Sequence, residues 1–452
     1  MYEKPRSLPR TRPADSNEPL LILGETDFRR THRRFGLLAA DRLRHLWVIG
    51  KTGSGKSTLL ANLIAQDLAR GVGCALLDPH GDLVAQILPY VPAARTNQVV
   101  LFSPADREHP ISFNVFRQGR RCHSDRALLA SQLVSVFKKF WSDSWGPRLE
   151  HILRHGILAV AEDQRATLLF LYRFLTEETL RSSVADKLTD PVVRKFWREE
   201  FPLYGKSLQS EALAPVLNKL GSFLASPVVR AIVGQERSRL DLIALMESRS
   251  VVLANLATGR IGEDASHLLG GLLLSALQLA AMERPRGGPA FIVYVDEFQH
   301  FVTDSVATLL AESRKFGLGL VLAHQYLGQL PITLRDAVLG NIGSMVVFRL
   351  GAQDAEFLEG EFAPTFSRYD LQRFERYHAG AKILAAGETL APFSARMLPL
   401  PPAPDGAHER VGRIRAQSRQ RFADRSDAVE AAIARSLSGD DGATDQASDQ
   451  GS

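Results

Sequence analysis

A glycine-rich loop near the start of the chain constrains the fold more than any other feature of the sequence. Residues 50–57 read GKTGSGKS, which fits the phosphate-binding pattern G-x-x-x-x-G-K-[ST]. The apolar run 46–49 precedes this loop, and residues 57–69 follow it with helical apolar spacing. A strand, a glycine loop and a helix in this order are typical of a nucleotide-binding α/β domain, which we therefore predict.

The loop residues have separate expected roles in holding a nucleoside triphosphate. Glycines let the backbone wrap close to phosphate oxygens, and the N-terminus of the following helix adds positive potential. Lys56 is expected to reach the β- and γ-phosphates and to contribute to catalysis, and Ser57 is expected to ligate Mg²⁺. The alternative, a flexible glycine turn, fits poorly between a strand and a helix. We assign nucleotide contacts to Gly50, Lys51, Thr52, Gly53, Ser54, Gly55, Lys56, Ser57 and Thr58.

Two acids at the end of a later apolar run supply the second half of such a site. Asp296 and Glu297 directly follow residues 291–295, which read FIVYV. Asp296 is expected in the Mg²⁺ shell, and Glu297 is expected to act as general base toward the attacking water. A solvated pair of loop acids is the alternative.

Two further polar residues are candidates for catalysis. Gln325 closes the run LVLAHQ, so its amide is expected at the same sheet edge as Asp296, where it senses the γ-phosphate. Arg314, in AESRKFG, is expected to stabilise the transferring phosphoryl group of a neighbouring subunit. The alternatives are a loop amide that is satisfied locally and a surface arginine in a salt bridge.

The remaining apolar runs predict one large sheet interrupted by helices. They are almost continuously apolar, as strands of a parallel sheet covered on both faces should be, and their carboxyl ends should carry the site. The predicted strands are 46–49, 73–77, 99–102, 250–256, 291–295, 318–323, 344–350 and 381–385. We predict a partly disordered N-terminal arm (1–34), a nucleotide-binding domain (35–120 and 247–398), an all-helical insertion (121–246), and a linker with a disordered acidic tail (399–452).

Composition excludes several other classes of protein. Apolar residues make up 45% of the chain, which excludes a mainly disordered or fibrous protein. The two cysteines, Cys74 and Cys122, exclude a disulfide framework and favour a reducing compartment. The longest apolar stretch, 268–282, is too short to cross a bilayer and is expected to form a buried helix. With no signal peptide and no transmembrane segment in the sequence, we expect a cytoplasmic protein.

Basic residues are clustered more than the net charge of +5 suggests. One group precedes the first predicted strand, and residues 410–425 hold six arginines against one aspartate. Each cluster either contacts nucleic-acid phosphates or solvates a surface. A further segment mixes charged and aromatic side chains, and it either binds single-stranded nucleic acid or packs its tryptophans within the protein. The first group is Arg29, Arg30, Arg33, Arg34, Arg42 and Arg44, and the mixture is Lys138, Lys139, Trp141, Trp145 and Arg148.

His80 and Asp82 follow a predicted strand, but a single histidine beside two acids is poor evidence for a metal site. We expect no metal other than Mg²⁺.

Several motifs together resemble one family. The segments HLWVIGKTGSGKSTLL, LLDPHGD, ISFNVF, FIVYVDEF, ESRKFGLGLVLAHQ and GNIGSMVVFRL are similar to the HerA-FtsK superfamily, and within it to the TraG/TraD-like conjugative coupling ATPases of type IV secretion and their soluble HerA-like relatives. The resemblance covers residues 35–397.

The resemblance implies a RecA-like domain interrupted by an all-helical domain, and a ring hexamer that pumps DNA with ATP and Mg²⁺. Lys56 and Ser57 match the first nucleotide motif, Asp296 and Glu297 the second, Gln325 the sensor and Arg314 the inter-subunit finger. DNA is expected to be held mainly through its backbone, and a secretion channel, a relaxase or a nuclease is the expected partner. Membrane-anchored members begin with transmembrane helices, so we expect this protein at most at the periphery of such a channel.

Two other functions remain open on the sequence alone. A motor that acts on protein would carry the same motifs. A nucleotide-dependent switch that recruits a nuclease or effector would bind ATP with little turnover, although a carboxylate at Glu297 argues against this function.

Overall fold

The computed structural model describes residues 20–27, 32–117, 123–142, 145–303 and 305–438. The chain divides into two compact units. The sheet unit comprises Met1–Phe102, Ile243–Thr258 and Ala280–Gln417, and the helical unit comprises Ser103–Leu242, Gly259–Leu279 and Ser418–Ser452.

Thirteen strands and twenty helices are formed by the described residues. The strands are β1 Leu21–Thr26, β2 Arg34–Leu37, β3 Leu46–Ile49, β4 Gly73–Asp78, β5 Val99–Phe102, β6 Val251–Asn255, β7 Phe291–Val295, β8 Leu318–His324, β9 Ser344–Val347, β10 His378–Lys382, β11 Leu384–Ala385, β12 Glu388–Thr389 and β13 Phe393–Met397. The helices are α1 Ala39–Arg42, α2 Lys56–Ala69, α3 Asp82–Ile87, α4 His123–Phe140, α5 Pro147–Val160, α6 Leu168–Thr176, α7 Glu178–Lys187, α8 Pro191–Lys195, α9 Phe201–Leu203, α10 Lys206–Ala225, α11 Pro227–Val233, α12 Leu242–Glu247, α13 Thr258–Ile261, α14 Glu263–Glu283, α15 Ser305–Glu312, α16 Ile332–Asn341, α17 Ala352–Phe362, α18 Arg368–Leu371, α19 Ala407–Phe422 and α20 Ser426–Ser438.

An 11-stranded sheet organises the sheet unit, in the order β2-β1-β13-β10-β9-β3-β8-β7-β4-β6-β5. The seven strands from β9 to β5 pair in parallel, and β10, β13, β1 and β2 add an antiparallel edge. Every residue of β3, β4, β7 and β8 is buried, which explains their continuous apolar character. The predicted α/β fold with a mainly parallel sheet is confirmed.

The antiparallel edge was not predicted, and Leu21–Thr26 is a strand where we expected a partly disordered arm. In β1 and β13 buried and partly exposed residues are interspersed over only six and five residues. Strands this short with mixed polarity give a weak signal in sequence. Residues 1–19, which make up most of that arm, lie outside the described residues, as do Arg29 and Arg30.

The linker and disordered tail predicted from residue 399 onward are wrong for Ala407–Ser438, which forms α19 and α20. Ile414 is fully buried in the apolar core of the sheet unit, with Val411 packed against that core. In the helical unit Ile111 pairs with Ala423, and Arg419 forms an ion pair with Asp106 at 2.7 Å. Sparse apolar residues at helical spacing hold an arginine-rich segment in place. Residues 439–452, with the rest of the predicted tail, are not described.

The helical unit contains helices α4 to α11, as predicted for the insertion, and it also takes in Gly259–Leu279 and Ser418–Ser452, which we assigned elsewhere. Trp141 is 5% exposed and stacks on Phe137 with ring centroids 4.3 Å apart. The Trp145 Nε1–H donates to Glu150 Oε2 at 3.0 Å. These tryptophans therefore pack within the protein, which is the second of our two interpretations and leaves no stacking platform at Trp141.

Other weak sequence signals have simple structural explanations. Arg42, from the first basic group, is buried in an ion pair with Asp67. Among the described residues, His80 and Asp82 do not join any group of three histidines, cysteines or acids close enough to hold a metal ion.

One helix of the described chain, α14, is long and apolar enough to cross a membrane, and α10 with α11 passes the same test as a bent pair. Of the most apolar part of α14, 89% is buried inside the protein. The buried helix predicted for residues 268–282 is confirmed.

A buried polar network ties the helix after the loop to the strand that carries the acids. Arg42 donates to both carboxylate oxygens of Asp67 on α2, at 2.8 and 2.6 Å. The Tyr294 hydroxyl on β7 donates to Asp67 Oδ2 at 2.6 Å. All three residues are buried, where water does not reach them. The Asp67 carboxylate therefore balances the charge of Arg42 and accepts the hydrogen bond of the Tyr294 hydroxyl.

Asp67→Ala should therefore lower the free energy of unfolding by about 3–5 kcal/mol, because it leaves the Arg42 guanidinium buried without a counter-charge. Tyr294→Phe, the matched control, removes the hydrogen bond donated to Asp67 and the one accepted from Arg42 but keeps the ion pair, and it should cost only about 2 kcal/mol. Urea denaturation of the three proteins measures both values. Equal losses in the two variants would contradict this account.

Candidate nucleotide-binding site

The glycine loop lies between the carboxyl end of β3 and the first turn of α2. A side chain at Gly50 would put its Cβ 2.5 Å from Phe348 Cβ. Gly55 has φ +125°, and a Cβ there would lie 3.0 Å from Tyr377 Cδ1. The Tyr377 N–H also donates to Ser54 O at 2.8 Å. Neighbouring chain segments thus approach the loop closely enough to require glycine at both positions.

Lys56 directs its side chain back over the loop. Its Nζ donates to Gly50 O at 2.7 Å, and only 6% of the residue is exposed. Burial lowers the pKa of Lys56, while Glu297 and Asp296 act in the opposite direction. The structure therefore brings the loop lysine and the acid pair into one electrostatic environment.

The acid pair begins where β7 ends. The Glu297 N–H donates to Asp296 Oδ1 at 3.1 Å, and Glu297 has left-handed backbone angles of φ 47° and ψ 52°. Burial, and after it the carboxylates of Glu297 and Asp78, raise the pKa of Asp296 to about 7, while Lys56 acts in the opposite direction. Asp78, at the end of β4, accepts N–H groups from His80 at 3.0 Å and Val84 at 2.9 Å. Three carboxylates thus lie close enough to influence one another, and two of them, Asp296 and Glu297, also act on the buried Lys56.

A chain of hydrogen bonds connects the loop to Glu297. The Thr52 hydroxyl donates to Gln325 Oε1 at 2.9 Å, and Gln325 Nε2 donates to Glu297 Oε1 at 2.8 Å. Gln325 lies at the same sheet edge as Asp296, next to the loop, where the sequence predicted it. The Gln299 Nε2 donates to the other oxygen, Oε2 of Glu297, at 2.8 Å.

The sequence analysis missed Gln299. The only signal was a glutamine in the short segment FQHF, whose two phenylalanines are fully buried. A polar side chain that is 8% exposed between buried aromatic residues needs a polar partner, and Glu297 is two residues away.

Arg314 lies apart from the other predicted residues of its own subunit. It belongs to the 3₁₀ turn Ser313–Phe316, which precedes β8, whereas Gln325 follows the carboxyl end of β8. Seven residues of strand separate these two points by about 20 Å. The side chain is exposed, and within the described part of the chain it has no ion pair, unlike the surface arginine we considered as its alternative. The structure therefore does not bring Arg314 to the loop of the same subunit.

His45 fixes the turn that carries Arg314. Its Nε2 lies 3.1 Å from Leu310 O and 3.2 Å from Ser313 Oγ, and its Nδ1 accepts the Leu320 N–H at 3.1 Å. This pattern requires a neutral ring with the proton on Nε2. Burial lowers the pKa of His45 to about 4, and the hydrogen bond to Leu310 O opposes this shift.

A lowered histidine pKa stabilises the fold above the unfolded-state value of about 6.5, and this stabilisation is lost as the pH falls toward 4. Between pH 7 and pH 5 the His45 contribution should therefore fall by about 2 kcal/mol. Urea midpoints at both pH values, for the wild type and His45→Gln, measure this difference. An unchanged pH dependence in His45→Gln would contradict the assigned environment.

Fold and site together define a class: a P-loop domain of RecA-like architecture, with the loop, the acid pair and the glutamine at the carboxyl edge of a parallel sheet. Residues 37–275, more than half of the chain, match the family model described as the central domain of helicase HerA. The chain belongs to this family, and the resemblance to the HerA-FtsK superfamily is confirmed.

Individual relatives are distant. The chain is 22% identical over 377 residues to the type 4 coupling protein DotL of Legionella pneumophila, covering 68% of this chain and 47% of DotL. It thus spans about half the length of this curated relative.

Two solved structures share the fold. The plasmid coupling protein TrwB, in complex with the GTP analogue GDPNP, matches with 17% identity, a TM-score of 0.62 and coverage of 88% of this chain and 93% of TrwB. VirB4 of Thermoanaerobacter pseudethanolicus matches with 14% identity, a TM-score of 0.56 and coverage of 86% and 98%.

Proposed function

We propose that this protein is a Mg²⁺-dependent ATPase of the coupling-protein type, which works as a ring oligomer and moves DNA. The observation that carries the ATPase is the placement of Lys56, in its glycine loop, beside Asp296 and Glu297. DotL and TrwB are both named coupling proteins, and one TrwB structure is a complex with ADP and Mg²⁺.

The donor set fits a magnesium nucleotide. Ser57 lies in the first turn of α2 and is exposed. Together with Asp296 it offers the hard oxygen ligands that Mg²⁺ prefers. The raised pKa of Asp296, caused by burial and then by two neighbouring carboxylates, indicates negative charge that Lys56 alone does not balance. A divalent cation held by Ser57 and Asp296 would balance it.

Each side chain then has one task. Lys56 turns its Nζ from the loop carbonyls to phosphate oxygens, and backbone N–H groups of the loop hold the same oxygens. Glu297 orients the attacking water and accepts its proton, and Gln325 contacts the γ-phosphate from the end of β8. When bound, Mg²⁺ neutralises charge on the phosphates. Arg314 serves the site of the adjacent subunit because it lies far from its own.

Lys56→Ala and Glu297→Gln should have different phenotypes. The first removes a phosphate contact, so nucleotide turnover should be abolished and affinity should fall. The second removes only the base, so ATP should still bind with near wild-type affinity while hydrolysis falls by a factor of about 100 or more. Equilibrium binding and phosphate release measure both. A fully active Glu297→Gln protein would exclude Glu297 as the base.

Arg314 should act across a subunit boundary. Arg314→Ala should lose at least about 10³-fold in turnover while keeping ATP affinity, because this charge acts on the transferring phosphoryl group. Mixing Arg314→Ala with Glu297→Gln subunits should restore some hydrolysis, wherever an intact Glu297 faces an intact Arg314. Lys315→Ala, which removes the neighbouring exposed charge, is the matched control and should stay active. No recovery in rings verified to be mixed would count against action in trans.

The arginines of the C-terminal segment differ in their availability to DNA. Arg410 is buried, Arg419 is paired with Asp106, and Arg425 is paired with Asp427. Arg413 and Arg415 on α19 are exposed. Deleting the whole segment would also remove Ile414 from the core of the sheet unit, so point substitutions are the better test.

DNA should stimulate ATP hydrolysis, with binding that weakens steeply as salt rises because counterions are released from phosphates. Sequence preference should be slight, because contacts to the backbone carry no base information. Replacing Arg413 and Arg415 with alanine should weaken DNA binding and reduce its salt slope by about 2, without changing basal turnover. Replacing Arg194 and Lys195 on α8 removes the same charge as a control. Hydrolysis indifferent to DNA at low salt would favour a motor for protein.

A further inference from the structure

Glu297 is held by two amides, one on each carboxylate oxygen. Gln325 Nε2 donates to Oε1 and Gln299 Nε2 donates to Oε2, both at 2.8 Å. The two donors come from different parts of the chain: Gln325 follows β8, whereas Gln299 lies two residues after Glu297. The orientation of the carboxylate is therefore set by two independent contacts.

The surroundings of the two amides differ. Gln299 belongs to the 3₁₀ turn Phe298–His300 and is 8% exposed. Phe298, in this turn, is fully buried, and its ring centroid lies 4.9 Å from that of His324. Gln325 is only half-buried and contacts the exposed Thr52 of the loop. Gln299 is thus fixed in a packed turn, while Gln325 borders solvent and the phosphate site.

The Gln299 amide has one function in the described structure. Its Nε2 donates to Glu297, and its Oε1 is buried with no hydrogen-bond partner among the described residues. A buried acceptor without a partner is unfavourable. If Gln299 served packing alone, an apolar residue of the same shape would fill this position without that cost. The backbone of Glu297 is also in the left-handed region, which a glutamate adopts only where its surroundings impose it.

We propose that Gln299 is a positioning residue for the general base. It holds Oε2 of Glu297, so that Oε1 faces the loop. Oε1 exchanges the Gln325 amide for the attacking water. As the water oxygen bonds to the γ-phosphorus, Oε1 takes a proton from that water, and the bond between the γ-phosphorus and the β–γ bridging oxygen breaks, so that ADP leaves. This assignment rests on the proposed ATPase with Glu297 as base.

Gln299→Met tests the assignment, because methionine keeps the length of the side chain and cannot donate. In the full chain, kcat for ATP should fall roughly 10-fold, the loss expected for one hydrogen bond to a charged group, while KM and the Kd for ATP stay within about twofold. Gln372→Met is the matched control: this half-buried glutamine donates to Arg368 O elsewhere in the sheet unit, and its replacement should leave kcat unchanged.

The same substitution in a Glu297→Gln background separates positioning from general stability. If Gln299 acts only through Glu297, adding Gln299→Met should not lower the residual rate further. An equal, additive loss in both backgrounds would overturn the proposal, and so would a wild-type kcat for Gln299→Met. Should Gln299→Met fail to fold, Gln299→Glu keeps the shape, and it should lower kcat at least as much because its carboxylate repels Glu297.

Two failures remain distinguishable. If Glu297→Gln hydrolyses ATP at the wild-type rate, the assignment of the base fails, and the role of Gln299 fails with it. If Glu297→Gln is inactive but Gln299→Met is fully active with normal ATP affinity, only the positioning role is overturned.

Discussion

The parallel register of three strands is the constraint on which the rest of the site depends. Ile49 at the end of β3 pairs with His324 on β8, and Val295 at the end of β7 pairs with Leu322. The residues that follow these strands therefore meet at one edge of the sheet. Because side chains alternate along a strand, a shift of one residue would turn the loop, the acid pair and Gln325 away from one another.

Charge then shapes what this edge does. Asp296 and Glu297 lie near the buried Lys56, and Asp78 adds its negative charge to that of Asp296, in surroundings where burial raises the pKa of Asp296 and lowers that of Lys56. Such a cluster is costly in an apolar interior unless a further cation joins it. The arrangement is well suited to a magnesium nucleotide and poorly suited to a purely structural role, which is why we favour an ATPase over a passive scaffold.

Sequence reasoning located a residue correctly where its position depends on its neighbours along the chain, and the roles of these residues stay predictions. The loop, the acid pair and Gln325 each follow a strand that is buried throughout, so their common location follows from the parallel sheet. The placement of Arg314, the turn around Gln299 and the edge strand β1 depend on contacts between distant segments. Those contacts leave little trace in a single sequence. The arginine-rich helix α19 was missed because its buried residues, such as Ile414, are few among charged ones.

In the helical unit the sequence left two interpretations open, and the structure decides between them. The mixture of charge and aromatic residues around Trp141 and Trp145 was compatible with stacking on nucleobases or with packing inside the protein. In the structure, burial against Phe137 and a hydrogen bond to Glu150 use both side chains. Composition of a surface helix therefore says less about binding than the location of its apolar face.

The central claim is that this edge of the sheet hydrolyses ATP. The most direct measurement is phosphate release from ATP by the purified full chain, with Mg²⁺ or with EDTA, in the presence and absence of DNA. The account predicts release that requires Mg²⁺ and increases with DNA. Nucleotide binding without phosphate release, even with Mg²⁺ and DNA present, would contradict it and identify the protein as a nucleotide-dependent switch.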